Sequence, residues 1–268
     1  MAANLNEAAS TEAILIRDDD NGIATLTLNR PRHFNALSSD MLTALQTALD
    51  NIKADDSIQV VIIAANGRGF CAGHDLNEIR SSVDKAFHQD LFDRCSKMML
   101  TIHTMPQPVI AQIDGIATAA GCQLVANCDL AIATMESRFA VSGINLGLFC
   151  STPAVPLSRN LSRKQAMRML LTGDFISAEQ AQTYGLINDA VNNNELKQAT
   201  MDLAHKIAAK SPLAIKLGKQ MFYQQLPMDL SAAYAFASER MACNMDSEDA
   251  REGMDAFMEK RKPEWAGR

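Results

Sequence analysis

The chain has 268 residues, of which 47% are hydrophobic and 21% are charged, and its formal net charge is −6 at pH 7. This length and apolar content predict a sizeable core in one domain with an appended segment. The acidic balance argues against a nucleic-acid-binding protein, because the only basic run is Lys260-Arg261-Lys262, and no apolar stretch is long enough to cross a membrane.

The N-terminus and the cysteines indicate a compartment. Residues 1–10 are predicted to be a disordered tail, and residues 1–11 contain neither Arg nor Lys nor an apolar stretch, unlike a secretory signal or a transit peptide. The six cysteines form no CxxC pair and no zinc-ligand spacing, and most lie in contexts typical of buried thiols. We therefore expect a cytoplasmic protein without a metal site.

The first half of the chain reads as a hairpin followed by strand and helix units. Asn21-Gly22 separates two β-favouring runs, 13–17 and 23–28, which predicts a β-hairpin. Ser38 precedes apolar residues at helical spacing, which predicts a capped amphipathic helix leading to a strand at 60–64. The apolar face of that helix consists of Leu42, Leu45, Leu49 and Ile52.

The later elements alternate in the same way. A polar stretch, 78–90, precedes a predicted helix at about 91–105, and a small-residue helix at 119–127 precedes a strand at 130–133. Such repeated units predict a parallel sheet with right-handed crossovers. Two capping boxes follow, Ser162 with Gln165 and Ser177 with Gln180. From 194 to 262 the pattern is helical, with breaks near two prolines.

Two short turns carry most of the functional information. One is Phe70-Cys71-Ala72-Gly73-His74-Asp75-Leu76, and the other is Asp114-Gly115-Ile116-Ala117-Thr118-Ala119-Ala120-Gly121-Cys122-Gln123-Leu124. Each follows an apolar run and predicts a strand that ends in a small-residue turn before a helix. Amides at helix N-termini carry partial positive charge, so two such turns facing each other can hold an oxyanion. Either turn alone is more typical of plain strand-to-helix packing.

The pair of turns resembles the crotonase, or enoyl-CoA hydratase/isomerase, superfamily, whose members polarise the thioester carbonyl of an acyl-CoA. Further motifs extend the resemblance over nearly the whole chain: Leu28-Asn29-Arg30-Pro31, Asn35-Ala36-Leu37, Leu171-Thr172-Gly173, Ile176-Ser177-Ala178 and Glu259-Lys260-Arg261-Lys262. Residues 117–126 and 147–153 resemble more narrowly the enoyl-CoA hydratase domain-containing protein 3 subgroup.

The resemblance implies an architecture and an assembly. The implied fold is α/β, a crotonase-type spiral of repeated ββα units, with the acyl-CoA site in a core at 11–193. Residues 194–268 would form a helical trimerisation segment, which gives a homotrimer or a dimer of trimers. A methionine stripe in this segment has helical spacing typical of core or of a subunit interface. It comprises Met241, Met245, Met254 and Met258.

The resemblance also implies where a ligand binds. The backbone N–H groups of His74 and Ala120 would form the oxyanion hole. Arg32, His33 and Lys260 would hold the nucleotide and phosphates of coenzyme A, although a solvated surface position is the alternative for each. The adenine would contact backbone groups around Ala72 and His74. Coenzyme A enters as part of the substrate, and no permanently bound cofactor is expected.

The chain departs from the family pattern at the positions of the catalytic carboxylates. The two hydratase glutamates would fall at Gln123 and Gly143, and the aspartate of dienoyl isomerases would fall near Ser151. None of these residues transfers a proton as a carboxylate does. A positioned acid or base accelerates a reaction by roughly a hundred- to ten-thousand-fold, so we expect weak hydration.

The other polar residues support several readings. Gln123 either orients water or the acyl chain, or fills the space of the missing glutamate. Loop packing is favoured for Cys150, which has no base nearby in the sequence. A solvent-facing or structural role is favoured for the His74 ring, helix capping for Asp75, and a turn role for Asp129.

The sequence thus predicts an acyl-CoA-binding family member that stabilises a thioester enolate. Two alternatives stay open, a malonyl-type acyl-CoA decarboxylase and a non-catalytic acyl-CoA-binding protein. Decarboxylation generates an enolate without requiring a base to remove a proton.

Overall fold

The computed structural model describes residues 13–268, so the tail predicted for residues 1–10 lies outside the described residues. The strands are β1 Leu15–Asp20, β2 Ile23–Leu28, β3 Val60–Ala65, β4 Gly69–Cys71, β5 Val109–Ile113, β6 Ile116–Thr118, β7 Leu130–Thr134, β8 Arg138–Ala140, β9 Ile176–Ser177 and β10 Asp189–Val191. The helices are α1 Ser39–Lys53, α2 Leu76–Ser81, α3 Lys85–Thr104, α4 Ala120–Asn127, α5 Ser151–Asn160, α6 Arg163–Thr172, α7 Ala178–Tyr184, α8 Leu196–Ala208, α9 Pro212–Gln225, α10 Leu230–Met245 and α11 Glu248–Glu259. Short 3-10 helices occupy Pro31–His33 and Ser142–Leu146.

The strands form two sheets that the chain visits in alternation. A six-stranded sheet has the order β1-β2-β3-β5-β7-β10, and a four-stranded sheet has the order β4-β6-β8-β9. Pairing is parallel except in the β1–β2 hairpin and between β8 and β9. Successive pairs β3–β4, β5–β6 and β7–β8 each place one strand in each sheet before a helix follows. This arrangement confirms the predicted α/β spiral of ββα units.

The hairpin turn and the first helix form as predicted, but β1 runs from Leu15 to Asp20 instead of over 13–17, because the three aspartates pair with β2. Asn21 and Gly22 adopt positive φ angles of 49° and 79° in the tight turn between β1 and β2. The Ser38 side chain accepts a hydrogen bond of 3.2 Å from the N–H of Met41 and so caps α1. The apolar face of α1 is buried in the main core.

The six-stranded sheet is covered on both faces. Five of the six residues of β3 are buried, as expected for a strand within a parallel sheet between two layers. One face packs against the main core, which includes α1, α3 and α4. The other face carries Ile23, Val60, Ile62 and Ile110, against which Ala204 of α8 packs. The first helix of the C-terminal segment therefore covers the core sheet.

The predicted helix at about 91–105 was placed too late. α3 begins at Lys85, and the polar stretch assigned to 78–90 also contains part of α2. Asp84 explains the difference, because its carboxylate accepts a 2.9 Å hydrogen bond from the N–H of Ala86 and caps α3. The first turns of α3 are largely exposed, so they lack the apolar periodicity from which a helix is recognised.

Of the two predicted capping boxes, one is complete. Ser177 accepts from the N–H of Gln180 at 3.2 Å, and the Gln180 side chain accepts from the N–H of Ser177 at 3.0 Å. Ser162 also accepts from the N–H of Gln165, at 3.5 Å, and caps α6 on its own. Gly185 ends α7 with a φ of 86°, as predicted.

The last helices present apolar side chains to solvent in the single chain. The sequence is helical from α8 to α11 with breaks near Pro212 and Pro227, and a third break falls at Asp246 and Ser247. Neither α9 nor α10 contains a buried residue. The methionine stripe is 43–69% exposed, so it does not belong to the core of the single chain. Within residues 13–268, no helix has the length and apolar character needed to span a membrane.

Asp129 fixes the start of β5 and the helix α9 to the core, which is more than the turn role predicted for it. Its carboxylate accepts hydrogen bonds from the N–H of Val109 at 2.7 Å and from the Tyr223 hydroxyl at 2.8 Å. Lys219 donates to the same carboxylate at 2.6 Å and to the carbonyls of Ile102 and Gln107. The ammonium group thus has three acceptors in a site that is nearly closed to solvent.

Replacing Lys219 by methionine is expected to lower the free energy of unfolding by about 3–5 kcal/mol, because breaking a buried ion pair leaves an uncompensated charge. The two side chains are only 6% and 14% exposed, so solvent cannot replace the lost partner. Urea denaturation measures the change. Lys216→Met, at an exposed lysine of the same helix, serves as the control and should change stability little. A loss below about 1 kcal/mol for Lys219→Met would contradict the prediction.

Candidate acyl-CoA site

The two predicted turns meet where β4 and β6 end. These strands are parallel neighbours, so their carboxyl ends lie side by side. Gly73 has a φ of 95°, and a Cβ atom at this position would lie 2.9 Å from Ala119 Cβ and 3.2 Å from the N atom of Ala120. A side chain at Gly121 would overlap the carbonyl of Cys71. The two turns therefore face each other at a distance that requires glycine.

The backbone N–H groups of His74 and Ala120 are both available at this junction. Leu37 pairs with the residues on either side of His74, since it donates to the Gly73 carbonyl at 2.8 Å and accepts from Asp75. The N–H of His74 itself has no acceptor within residues 13–268. Ala120 is the first residue of α4, where an N–H has no intrahelical partner. Two amide donors without a protein acceptor therefore lie at the junction of the two turns.

Ala119 directs the amide of Ala120 through an unusual backbone conformation. Its φ of 48° and ψ of −118° lie in a region that residues other than glycine rarely adopt. Such a conformation costs on the order of 1–3 kcal/mol and persists only where surrounding contacts hold it. The N–H of Ala119 donates to Ala140 and its carbonyl accepts from Gln123, both at 3.0 Å. The chain thus keeps a strained turn directly before the free amide of Ala120.

A cavity of about 420 Å³ opens beside these amides. Its size falls within the usual range for small-molecule sites. Most of the lining is apolar, and the polar side chains are those of His74, Ser142, Ser151, Thr152 and the thiol of Cys150. The complete lining is Ala72, His74, Leu76, Ile79, Phe92, Ala119, Ala120, Ser142, Gly143, Leu146, Leu148, Phe149, Cys150, Ser151, Thr152 and Pro153. Such a surface suits an apolar acyl chain near a polarised carbonyl.

The imidazole of His74 is enclosed rather than solvent-facing. Its ring contacts Phe92 edge to face, with ring centroids 5.3 Å apart. Neither ring nitrogen has a hydrogen-bond partner among the described residues. Burial lowers the pKa of His74, while the nearby Leu37 carbonyl and the Glu78 carboxylate act in the opposite direction. The ring is therefore neutral at neutral pH.

Gln123 lies behind the cavity instead of lining it. It sits on α4 with 4% of its surface exposed, and its Oε1 atom has no hydrogen-bond partner within residues 13–268. This position favours the space-filling interpretation over direct contact with a ligand.

Gly143 and Cys150 share one space. A Cβ atom at Gly143 would lie 2.7 Å from the Cys150 Sγ atom and 2.9 Å from the Leu148 carbonyl oxygen. The thiol thus fills the volume into which a side chain at 143 would project. Burial raises the pKa of Cys150, and the Gly143 backbone opposes this. Cys150 is therefore a neutral thiol that packs against the loop, in agreement with its predicted role.

Asp75 caps a helix, as predicted, and also forms an ion pair. Its carboxylate accepts from the N–H of Asn77 at 3.1 Å at the start of α2. Arg30 donates to the same carboxylate at 3.3 Å and to the Ala36 carbonyl at 3.2 Å. These contacts fix the segment that precedes α1 to the turn that carries His74.

The residues predicted to bind coenzyme A are not gathered at the cavity. Arg32 and His33 lie exposed on the first 3-10 helix, and Lys260 lies exposed at the end of α11. Ala72 lines the cavity, but its N–H donates to Phe34 and its carbonyl accepts from the Thr118 hydroxyl. The role predicted for these four residues stays a prediction.

The apolar wall of the cavity was not predicted from the sequence. Leu76, Leu146, Leu148 and Phe149 line it while remaining 46–60% exposed. A run of large apolar side chains within an otherwise glycine-containing loop, 146–149, was the available indication.

Comparison with known proteins identifies relatives over most of the chain. A family model described as enoyl-CoA hydratase/isomerase matches residues 18–268. The mitochondrial enoyl-CoA hydratase domain-containing protein 3 of Mus musculus is 45% identical over 245 residues, which is 91% of this chain and 82% of the relative.

Two crystal structures share the fold. An enoyl-CoA hydratase from Mycobacterium smegmatis superposes with a TM-score of 0.93 and is 52% identical, covering 95% of this chain and 99% of its own. Human enoyl-CoA hydratase domain-containing protein 3 gives a TM-score of 0.92 and is 44% identical, covering 94% of this chain and 100% of its own.

Proposed function

Because this chain belongs to the enoyl-CoA hydratase/isomerase family, we propose that it binds an acyl-CoA thioester and holds the thioester oxygen between the N–H groups of His74 and Ala120. The close approach of Gly73 to Ala119 and Ala120 carries this proposal, because it brings two unpaired amides to the edge of an apolar cavity. Amides fixed before the reaction stabilise an enolate oxygen without reorganising.

The reaction class follows from what the cavity contains. No carboxylate lines it among the described residues, so water activation and α-protonation lack the two glutamates of a family hydratase. We therefore propose an enzyme that forms a thioester enolate and hydrates enoyl-CoA weakly. The alternative is a non-catalytic acyl-CoA-binding protein. Binding of acyl-CoA without turnover would identify it.

Decarboxylation of a malonyl-type thioester is a second candidate, and one observation favours it. Within residues 13–268, no Lys or Arg side chain lines the cavity, so an acyl carboxylate there would have no cationic partner. Loss of CO₂ would remove the unpaired carboxylate. The electron pair of the broken C–C bond would move onto the thioester as an enolate, which the two amides would stabilise. Mass spectrometry of malonyl- and methylmalonyl-CoA after incubation with the protein would detect the loss of CO₂.

The binding proposal is tested by calorimetry and infrared spectroscopy with butyryl-CoA carrying a ¹³C-labelled carbonyl. We expect binding and a lowered C=O stretching frequency, because two amide donors weaken the carbonyl bond. Absence of binding by several acyl-CoAs at millimolar concentration would overturn the proposal. Binding without a frequency shift would overturn the oxyanion assignment.

Exposed basic side chains are the proposed contacts of coenzyme A. We propose that Arg32, His33 and Lys260 meet the nucleotide phosphates, with Lys260 able to come from the same or a neighbouring subunit. Exposed ion pairs contribute little individually, about 0–1 kcal/mol each. The affinity for CoA should therefore fall severalfold at most in Arg32→Ala or Lys260→Ala.

We also propose a homotrimer or a dimer of trimers assembled through residues 194–268. Support comes from the large apolar side chains exposed on the last three helices, including Phe222, Leu230, Tyr234, Met241 and Phe257. Light scattering is expected to show a trimer or hexamer at micromolar concentration, and a stable monomer would contradict this.

The cytoplasmic location stays a prediction, since the mouse relative is named as mitochondrial.

A further inference from the structure

The ring of His74 is the one imidazole at the cavity, and its nitrogens have no protein partner. Both Nδ1 and Nε2 are out of contact with solvent and unpaired among the described residues. A buried polar atom without a partner destabilises the folded state. A neutral imidazole has one donor and one acceptor nitrogen. The Leu37 backbone acts on the ring, but neither nitrogen has a partner in full hydrogen-bond geometry among the described residues. The chain tolerates this cost beside its oxyanion amides.

The ring and the oxyanion donors belong to the same site. His74 contributes its backbone N–H to the junction of the turns, and its ring rests against Phe92, which lines the same cavity. Neither ring nitrogen is in contact with solvent, so a nitrogen reaches a thioester held by that N–H only after the ring changes its orientation. Rotation of the ring about its Cβ–Cγ bond exchanges the atoms that face the cavity.

No other side chain of the described cavity lining is suited to carry a proton near neutral pH. The lining contains no carboxylate, lysine or tyrosine, and burial raises the pKa of the only thiol, that of Cys150. The hydroxyls of Ser142, Ser151 and Thr152 are far weaker bases than imidazole. Glu78 on α2 is the charged group that acts on the ring, and it favours the protonated form.

We propose that the imidazole of His74 is the proton-carrying catalytic group of this site. The proposal rests on the acyl-CoA function proposed above. In the first step, the C–H bond at the α-carbon breaks, its electron pair moves onto the thioester as an enolate, and the proton binds the unprotonated ring nitrogen. The resulting imidazolium returns the proton to the α-carbon, or to the γ-carbon of a 3-enoyl thioester, which then becomes a 2-enoyl thioester.

This step requires neither water nor a second acid, which fits a cavity with an apolar wall. One neutral base takes a proton and returns it, whereas hydration requires a water molecule to be positioned as well. The structure therefore assigns α-proton transfer, and through it enoyl isomerisation, as the chemistry that this chain retains without glutamates.

Exchange of the α-protons of butyryl-CoA in D₂O, followed by NMR, tests the assignment because it requires enolate formation alone. We expect exchange by the unmodified protein and a loss of about a hundredfold or more in His74→Phe, which keeps an aromatic ring but has no nitrogen. The affinity for butyryl-CoA, measured by calorimetry, should change little. His205→Phe is the matched control, since His205 lies exposed on α8 and does not line the cavity.

A second variant separates proton transfer from packing. His74→Ala leaves space beside Phe92, and free imidazole in solution should restore part of its exchange rate, which a purely structural ring would not allow. Exchange that persists in His74→Phe, or imidazole that restores nothing to a folded His74→Ala protein, would overturn the assignment. Butyryl-CoA that binds to the unmodified protein but does not exchange would overturn it as well, and would leave the binding proposal intact.

Discussion

Replacing Gly73 by alanine is expected to remove most of the carbonyl polarisation and to slow any enolate-forming turnover by about a hundred- to a thousand-fold, the usual effect of losing one oxyanion donor. The added Cβ atom would press on Ala119 Cβ at 2.9 Å and on the N atom of Ala120 at 3.2 Å. Either the turn at 73 or the strained turn at 119 must then move, so the two amides no longer point at one oxygen.

The measurement compares the C=O stretching frequency of bound ¹³C-labelled butyryl-CoA and its α-proton exchange rate. Gly22→Ala is the matched control. Gly22 has a φ of 79°, so it carries a similar backbone strain, but a Cβ atom there has only ordinary contacts, the nearest at 3.4 Å to the Ser57 carbonyl. Both variants should lose roughly 1–2 kcal/mol of stability, which is the cost of placing a Cβ atom at positive φ. A Gly73→Ala protein with the full frequency shift would contradict the oxyanion assignment.

The parts of the site that depend on residues close in the sequence, namely its turns and helix caps, could be predicted. The order of strand, glycine turn and helix predicted two turns at one edge of a sheet, because parallel strands bring their carboxyl ends together. The choice of His74 and Ala120 within those turns came from the family resemblance. Asp75 was likewise predictable as a cap, since it acts on a residue only two positions away. Such short-range chemistry depends on neighbouring residues in the sequence.

Contacts between distant segments were not predictable. The Lys219 ammonium meets Asp129 across 90 residues, and no local pattern distinguishes Asp129 from an ordinary turn residue. The enclosure of the His74 ring depends on Phe92, which belongs to a helix whose start was itself misplaced. The roles predicted for Arg32 and Lys260 rest on the family resemblance, because both residues are exposed and neither lines the cavity.

Hydration of crotonyl-CoA by the unmodified protein is expected to be at least a hundredfold slower than by a family member with both glutamates. The family resemblance places Gln123 and Gly143 at the two glutamate positions. Gln123 is buried and does not line the cavity, and Gly143 lines it without a side chain. A proton carried by His74 supports α-proton transfer, but the lining holds only hydroxyls to position water. Ultraviolet absorbance of the enoyl thioester measures the rate. Hydration at tens per second, near the ordinary range for enzymes, would contradict this reading.

Restoring the glutamates tests the same reading, and the structure decides how they must be restored. Gln123→Glu alone should help little, because groups that act as a unit are strongly non-additive. Gly143→Glu brings its Cβ atom within 2.7 Å of the Cys150 Sγ atom, so Gln123→Glu with Gly143→Glu should distort the loop at 143–150. Adding Cys150→Ala removes the sulfur and leaves the Leu148 carbonyl, at 2.9 Å, as the contact to be relieved by a small loop shift.

The triple variant should therefore hydrate crotonyl-CoA faster than the double variant, with Cys150→Ala alone as the control that should not gain hydration. This order of rates follows from steric access for the new carboxylate and from the need for both proton carriers. A double variant as active as the triple would show that the thiol does not obstruct position 143. If the unmodified protein proved fast, Ser151 and Cys150 would be the next residues to replace after His74, because both line the cavity.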